Sequence, residues 1–298
     1  MKIRPVFVAL QFLAPNLCGF LLFTLFPVVF SLVMAFTDWD LTRHNDLSDQ
    51  KILFVGLANF SEMLWGSEAP KFWYYFYNTL YLMLAIPVGI AGSLALALCL
   101  HEKIRFRTVF RTIYYLPTIT AGVALLLLWS ALLRPEGGLI NQILGSMGLP
   151  QPGWLSSVTW AKPALMLIGI WTGIGGSNMI LYLAGLSRIP VELFEAASMD
   201  GAGAWQRFRH IIWPQLAPTT FFISIMSIIG GLQGGFEQAR ILTLGGPAQS
   251  TTTLSYYIYQ KGFEEFQLGY ASAVSWILFL IVMALTLANW KFGNSSID

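Results

Sequence analysis

Six strongly apolar stretches of this 298-residue chain also lack Asp, Glu, Lys and Arg: Pro5 to Thr37, Phe72 to Leu100, Thr112 to Leu133, Pro163 to Ser187, Ile211 to Phe236 and Phe266 to Trp290. Each supplies the roughly 20 apolar residues that a helix rising 1.5 Å per residue needs to cross about 30 Å of hydrocarbon. Backbone groups in lipid must bond internally, so only helices and closed barrels can span, and the alternation a barrel strand requires is absent. The expected fold class is all-α integral membrane with six transmembrane helices. Composition agrees: 11% of the residues are charged and 56% hydrophobic, against roughly 25% charged in a soluble domain.

The residues between the spans set the orientation. Lys2 and Arg4 precede the first span; Lys103, Arg105, Arg107 and Arg111 follow the second; Arg188, Arg207 and Arg209 follow the fourth; Lys291 follows the sixth. The loop from Asp38 to Lys71 instead carries Asp38, Asp40, Asp46, Asp49, Glu62 and Glu68 against three basic residues. Basic residues favour the cytoplasmic side, which predicts both termini inside. The charge-free run from Pro5 is longer than a signal-peptide core and lacks a clear cleavage site, so it reads as a retained first span. Trp39, Trp65, Trp73, Trp129, Trp160 and Trp290 lie near predicted ends, as an interfacial belt does, while Trp171 and Trp276 lie deeper and are expected to pack against other helices.

Several chemistries are disfavoured. The net charge of +2 comes without a dense basic stripe, which argues against nucleic acid as a partner. Cys18 and Cys99 sit in apolar runs and read as buried free thiols. His44, His101 and His210 are far apart and form no metal motif. Asn294-Ser-Ser matches a glycosylation acceptor but falls on the predicted cytoplasmic tail.

The spans are interrupted by Pro27, Pro87, Pro117 and the Gly230-Gly231-Leu-Gln-Gly234-Gly235 segment. Such breaks are tolerated in a bilayer where protein or a water-filled cavity satisfies the freed backbone groups. Two readings stand for the fifth span: packing by small residues, or a discontinuous helix lining a path with Gln233 facing it. Between spans, Gly137 to Lys162 reads as an irregular surface loop with Pro150 and Pro152. Leu244-Gly-Gly-Pro reads as a turn leading to a short helix from Leu254 to Gln260.

The segment Ile189 to Pro218 is the most informative. Pro190 suits a helix start, Val191, Phe194 and Ala197 or Ser198 share a face, and Asp200-Gly201 signals a turn in which Gly201 takes a positive φ. A second amphipathic piece, Ala204 to Ile212, groups Trp205, Phe208 and Ile212 before Pro214 leads into the fifth span. The loop at about 188–212 therefore reads as a helix-turn-helix element at the cytoplasmic face. It closely resembles the signature of binding-protein-dependent ABC importer permeases: Glu-Ala-Ala, three residues, Gly, nine residues, then Ile-x-Leu-Pro. Glu195, Ala196, Ala197, Asp200, Gly201, Ile211 and Pro214 stand at the matching places, with Trp213 replacing the usual Leu.

Further pieces in matching order extend the resemblance over nearly the whole chain. They are Phe36-Thr-Asp-Trp39, Gly56-Leu-Ala-Asn59-Phe60, Asn78-Thr79, Gly138-Leu-Ile-Asn141, Leu183-Ala-Gly-Leu186, Leu242-Thr-Leu-Gly245-Gly246-Pro247 and Gly269-Tyr-Ala-Ser-Ala273. They resemble the sugar-uptake branch, the group of the larger maltose permease subunit and the first glycerol-phosphate permease subunit. The resemblance implies a type I ABC importer permease architecture in a bacterial cytoplasmic (inner) membrane, with residues 1–298 forming a single permease domain. The implied partners are a second homologous permease as heterodimer, two ATPase subunits that bind ATP and Mg, an external solute-binding protein, a sugar-like solute and membrane lipid. The chain has no Gly-x-x-x-x-Gly-Lys-Ser/Thr loop, so it is not expected to be an enzyme or to hold a cofactor or metal of its own.

On the same resemblance, Glu195, Ala196, Ala197, Asp200 and Gly201 are the candidates for coupling to the ATPase. Local pairing of Glu195 with Arg188 or Arg209 remains the alternative. Leu232, Gln233, Phe236, Glu237 and Tyr256 are the candidates for the solute path; the family usually has an aromatic at the place of Leu232 and Asp at that of Glu237. Tyr256, Tyr257 and Tyr259 face either the cavity or the lipid interface. An ion-coupled carrier normally needs ionisable groups inside the spans, and a membrane enzyme needs a polar constellation at one face; both are weaker readings here.

Overall fold

The computed structural model describes residues 5–44, 50–102, 104–120 and 122–294, with side chains between Phe12 and Asn289. Lys2, Arg4, Asp46, Asp49, Lys103 and the two serines after Asn294 lie outside the described residues, as do the side chains of Trp290, Lys291 and Asn294. Among the described residues all regular structure is helical, apart from one antiparallel bridge between Thr37 and Phe54. Five helices are long and apolar enough to cross a membrane: Phe12–Ala35, Ala69–His101, Val158–Leu186, Ala204–Gln233 and Leu268–Asn289. The stretch from Thr112 to Leu133, expected as one span, is a pair of helices, Arg107–Ile119 and Gly122–Leu132, bent by 98°, which counted as one broken span brings the number to six. Pro117 withholds a helical N–H two residues before the first piece ends, and Thr120 is already extended.

Other boundaries move outward. The fourth span begins at Val158 rather than Pro163, which takes Lys162 inside it. The fifth begins at Ala204, so the amphipathic piece before Pro214 is continuous with the span rather than separate from it. A π turn over Phe208–Ile212 lies just ahead of Pro214; the wider turn relieves the clash a proline ring makes with the preceding carbonyl, so the helix runs through. The loop after the third span, expected to be irregular, contains the helix Leu139–Ser146. Asn141 fastens it, donating to Pro135 O and Pro152 O and accepting from the Trp154 indole.

The chain divides into two compact units. One takes the chain up to Trp73 together with Tyr257–Leu280, and the other takes Tyr74–Tyr256 with the chain from Ile281. In the first unit, the apolar window of Phe12–Ala35 has no buried residue, so this span is solvated by its surroundings rather than by its own chain. Its C-terminal carbonyls, which no helical N–H reaches, are satisfied by Asn59, whose Nδ2 donates to Ala35 O at 3.0 Å and Thr37 O at 2.8 Å. Gly269 N donates to Trp39 O at 2.9 Å, and a Cβ on Gly269 would stand 2.1 Å from Thr37 O, so only glycine fits there. Three of the short sequence pieces thus form one junction. Beside it, Glu68 accepts from Lys71 and from the Tyr257 hydroxyl at 2.8 Å each, and pairs with the buried Lys261 at 3.3 Å. Lys261 also pairs with Glu265, and Tyr257 bonds Tyr270.

In the second unit, the core gathers Leu94, Ala97 and Leu100 from the second span, Met179, Tyr182, Leu183 and Leu186 from the fourth, and Leu216 and Ile223 from the fifth. Lys162 stands over three rings of the second span, 5.0 Å from Tyr74, 4.8 Å from Tyr77 and 5.7 Å from Tyr81, a spacing of three and four residues that puts them on one stripe.

One packing expectation needs correcting, and the expected packing of Trp171 and Trp276 against other helices is present. Cys18 and Cys99 are free but exposed, because in a span the outer face is apolar and a thiol incurs no penalty there. Trp171 is edge-on to Trp129 yet 43% exposed, while Trp276 is held by the Ser31 hydroxyl.

Candidate functional site

Two places gather the residues singled out by sequence: a hairpin after the fourth span and a cavity beside the fifth.

The hairpin starts at Pro190, the N-cap of helix Val191–Met199. It ends in a Schellman turn: Ala202 N donates to Ala197 O at 2.8 Å, Gly201 N donates to Ser198 O at 3.2 Å, and Gly201 takes φ 74°. The next helix is entered at once, with Gly203 N donating to Gln206 Oε1 and Arg207 Nε to Ala202 O. Phe194, Phe208, Ile211 and Ile212 pack against the core of the second unit and anchor the base. Val191, expected on the same face as Phe194, is exposed, and Met199 is 90% exposed at the tip. Trp205 is exposed and stacks on Phe208 at 5.5 Å.

Glu195, Ala196, Asp200 and Gly201 are exposed and Ala197 is half-buried. Nothing lies within 4 Å of where a Cβ on Gly201 would project. Among the described residues Glu195 forms no ion pair, so the local pairing with Arg188 or Arg209 is not what this structure contains. The hairpin thus ends in a C-terminally capped tip that presents the apolar Met199 and the acidic Asp200 outward.

The second place is a cavity of about 200 Å³ between the second, fourth and fifth spans. Thr79, Asn178, Ser227, Gln238 and Thr253 give it polar groups, and Gly89, Gly169, Gly173, Gly230, Gly231, Gly234 and Gly235 bring backbone to its wall. The fifth span does break, at Gly234 and Gly235, where Gly235 takes φ 81°. The residues chosen from sequence lie next to this wall and not on it. Leu232 is fully buried, Gln233 is exposed and its carbonyl accepts from Ser255, Tyr256 is buried against the half-buried Phe236, and Glu237 is exposed near Gly122. The reason is angular: Ser227, Gly230, Gly231 and Gly234 follow the three-and-four spacing of one helix face, and Leu232 and Gln233 are rotated off it. Tyr256 and Tyr257 are buried in protein, and Tyr259 stacks on Phe263.

Sequence reasoning missed Asn178 and Ser227, whose only signal was a polar side chain in an apolar run, and Gln238, which nothing marks between Glu237 and Arg240. It also missed a break in the fourth span, where Val158–Gly173 gives way to Gly176–Leu186 through Ile174 and Gly175, the latter with φ 96°. Ser93 of the second span meets it, donating to Gly173 O at 2.9 Å and accepting from Gly175 N at 3.0 Å.

No group of three or more His, Cys, Asp or Glu able to hold a metal occurs among the described residues.

Comparison with known proteins places this geometry. Residues 85–290 match the family model described as binding-protein-dependent transport system inner membrane component. A probable ABC transporter permease protein, YesP of Bacillus subtilis, is 36% identical over 95% of this chain and 89% of its own. The lactose transport system permease protein LacF of Rhizobium radiobacter is 35% identical over 92% of this chain and 90% of its own. A chain of the bacterial alginate ABC transporter, solved in complex with an alginate pentasaccharide-bound periplasmic protein, superposes with a TM-score of 0.81 at 26% identity, covering 95% of this chain and 92% of that one.

Proposed function

Because this chain belongs to the binding-protein-dependent transport system inner membrane components, an ABC importer permease family whose members form a path and leave ATP hydrolysis to other subunits, we propose that it is one of two permeases in an importer of a sugar or oligosaccharide. The names of the relatives support the solute class, since they include a lactose permease, an arabinooligosaccharide permease and an alginate transporter. In this reading residues 1–298 act as one permease domain in the cytoplasmic membrane with both termini inside. The partners are a second, similar permease, two ATPase subunits that bind ATP and Mg, and an external solute-binding protein.

The single observation that carries the reading is the hairpin: an anchored base at Phe194 and Phe208, and a tip at Met199 to Gly201 that is exposed, capped and unobstructed. Glu195, Ala196, Ala197, Asp200 and Gly201 are assigned to the ATPase contact. Solute passes the glycine-walled cavity, with Asn178, Ser227 and Gln238 supplying donors and acceptors for sugar hydroxyls. Leu232, Gln233, Phe236, Glu237 and Tyr256 support that wall, not the solute itself. A volume of about 200 Å³ is below the roughly 300 Å³ at which small-molecule pockets begin. That suits half a path completed by a second permease.

The test is ATP hydrolysis by the reconstituted transporter across a panel of mono-, oligo- and acidic saccharides, each with the binding protein. Stimulation by one class names the solute. Absence of any copurifying ATPase would remove the importer reading.

A further inference from the structure

We propose that Ser93 is a positioning residue for coupling: its hydroxyl latches the glycine break of the fourth span in one conformation, so that motion of the hairpin is passed to the cavity wall instead of being absorbed at the break. The proposal rests on the importer reading for its functional part and on this structure alone for the latch.

A helix interrupted inside a bilayer leaves backbone groups that no water reaches. At this break one hydroxyl serves both ends, donating to Gly173 O and accepting from Gly175 N. Serine in a helix ordinarily turns its hydroxyl back to the carbonyl four residues earlier, a bond Ser93 forgoes. Close approach makes the bridge feasible. Gly89 and Gly173 face each other, a Cβ on either meeting the other's backbone at 3.4 to 3.6 Å, and a Cβ on Gly92 would strike Ile174 at 2.7 Å. On the opposite side Tyr114 O lies 2.8 Å from the Cβ position of Gly175. The break is therefore a shaped joint, fully buried at Ser93 and Gly175.

Its position gives it a role. Above the joint, Gly169 and Gly173 line the cavity; just below it Asn178 lines it too, so the wall spans the joint and keeps its shape only if both halves move together. Below it, Gly176–Leu186 leads after four residues into Val191–Met199, and Leu183, Leu186 and Phe194 share one core with Leu94 and Ala97, which follow Ser93 on the second span. Hairpin and lower half-helix thus move as one body, and the latch decides whether the wall at Gly173 follows.

The experiment compares the complete reconstituted transporter carrying wild-type chain, Ser93→Ala and Ser93→Cys. Three readouts are taken: ATP hydrolysed per solute transported, hydrogen exchange at the Gly175 amide, and assembly with the partner subunits. The expected result is that Ser93→Ala assembles and hydrolyses ATP in response to solute-loaded binding protein, but consumes about three times or more ATP per solute. Gly175 should exchange about tenfold faster, the factor corresponding to loss of one hydrogen bond of ordinary strength. Ser93→Cys, a weaker donor and acceptor of similar size, should fall between; if Ser93→Ala fails to assemble, this variant decides by the same two readouts. An unchanged ratio with unchanged exchange overturns the proposal, and so does faster exchange with an unchanged ratio, which would leave Ser93 structural only. If the wild type shows no solute-stimulated hydrolysis, the importer reading fails and takes the coupling role with it, while the exchange rate still tests the latch.

Discussion

Gly201 offers a quantitative test of the hairpin, because two substitutions there separate backbone conformation from steric obstruction. The residue holds φ 74°, and a Cβ would meet nothing within 4 Å. Gly201→Ala therefore adds no clash and costs only the left-handed conformation of an L-residue, roughly 1–2 kcal/mol. That is a factor of about 5 to 30 in the ratio of capped to uncapped hairpin, enough to weaken solute-stimulated ATP hydrolysis without abolishing it. Gly201→Pro forces φ near −65° and deletes the N–H that donates to Ser198 O. The loss of the turn and of its bond amounts to about 3 kcal/mol or more, a factor above about 100, so stimulated hydrolysis should fall to the unstimulated rate. The assay is ATPase activity of the reconstituted transporter with solute-loaded binding protein, normalised to the ATPase copurifying with each variant. Full stimulation in Gly201→Pro would refute the reasoning. Equal damage from alanine and proline would also refute it, since that would mean the tip is obstructed by its own chain.

Gly269→Ala drives a Cβ into Thr37 O at the junction that closes the first span; strain of about 1–3 kcal/mol follows, read as a lower melting temperature of the detergent-purified chain. Lys162→Met keeps the stem and removes the charge over Tyr74, Tyr77 and Tyr81; a destabilisation of about 1 kcal/mol is expected, and none would mean the rings do not hold the ammonium. At Glu68, burial would by itself raise the carboxyl, but hydrogen bonds from Lys71 and Tyr257 and the charges of Lys261 and Lys71 outweigh it and hold the group below its ordinary value of 4.5. A depressed folded value contributes stability above pH 4.5 that is lost as pH falls through the folded value. Glu68→Gln should therefore flatten the acid limb of the melting-temperature profile, and an unchanged limb would show that the network does not carry it.

The spans were legible because crossing a bilayer needs only length and freedom from charge, both local properties. The hairpin was legible for a similar reason: Pro190, the turn at Asp200-Gly201 and the anchoring Phe194 act within a dozen residues. What escaped depends on distant partners or on direction. Ser93 meets Gly173 and Gly175 some eighty positions away, and nothing near it in the chain marks the encounter. Leu232 and Gln233 sit one and two positions past Gly231, yet those rotations of about 100° each carry them off the cavity face. The exposed thiols of Cys18 and Cys99 contradict a burial rule that holds only where the outside is water. Asn59 and Gly269 were visible as members of ordered pieces, but only the fold brings them to the end of one helix.

The uneven apolarity of the spans has a consequence for biogenesis. The first has a mean hydropathy of 2.4 and an apolar window with no buried residue, whereas the fourth and fifth have 1.5 and 1.4 and carry the broken backbone, the lysine and the cavity. On insertion scales a lysine within a span and unpaired peptide groups are each unfavourable in hydrocarbon. The first span can therefore leave the translocon alone as a stable anchor. The fourth and fifth are expected to enter the bilayer against the second span, made before them, whose Ser93 and tyrosine stripe receive them, so a defect in that second span should appear as failed insertion downstream of the altered residue.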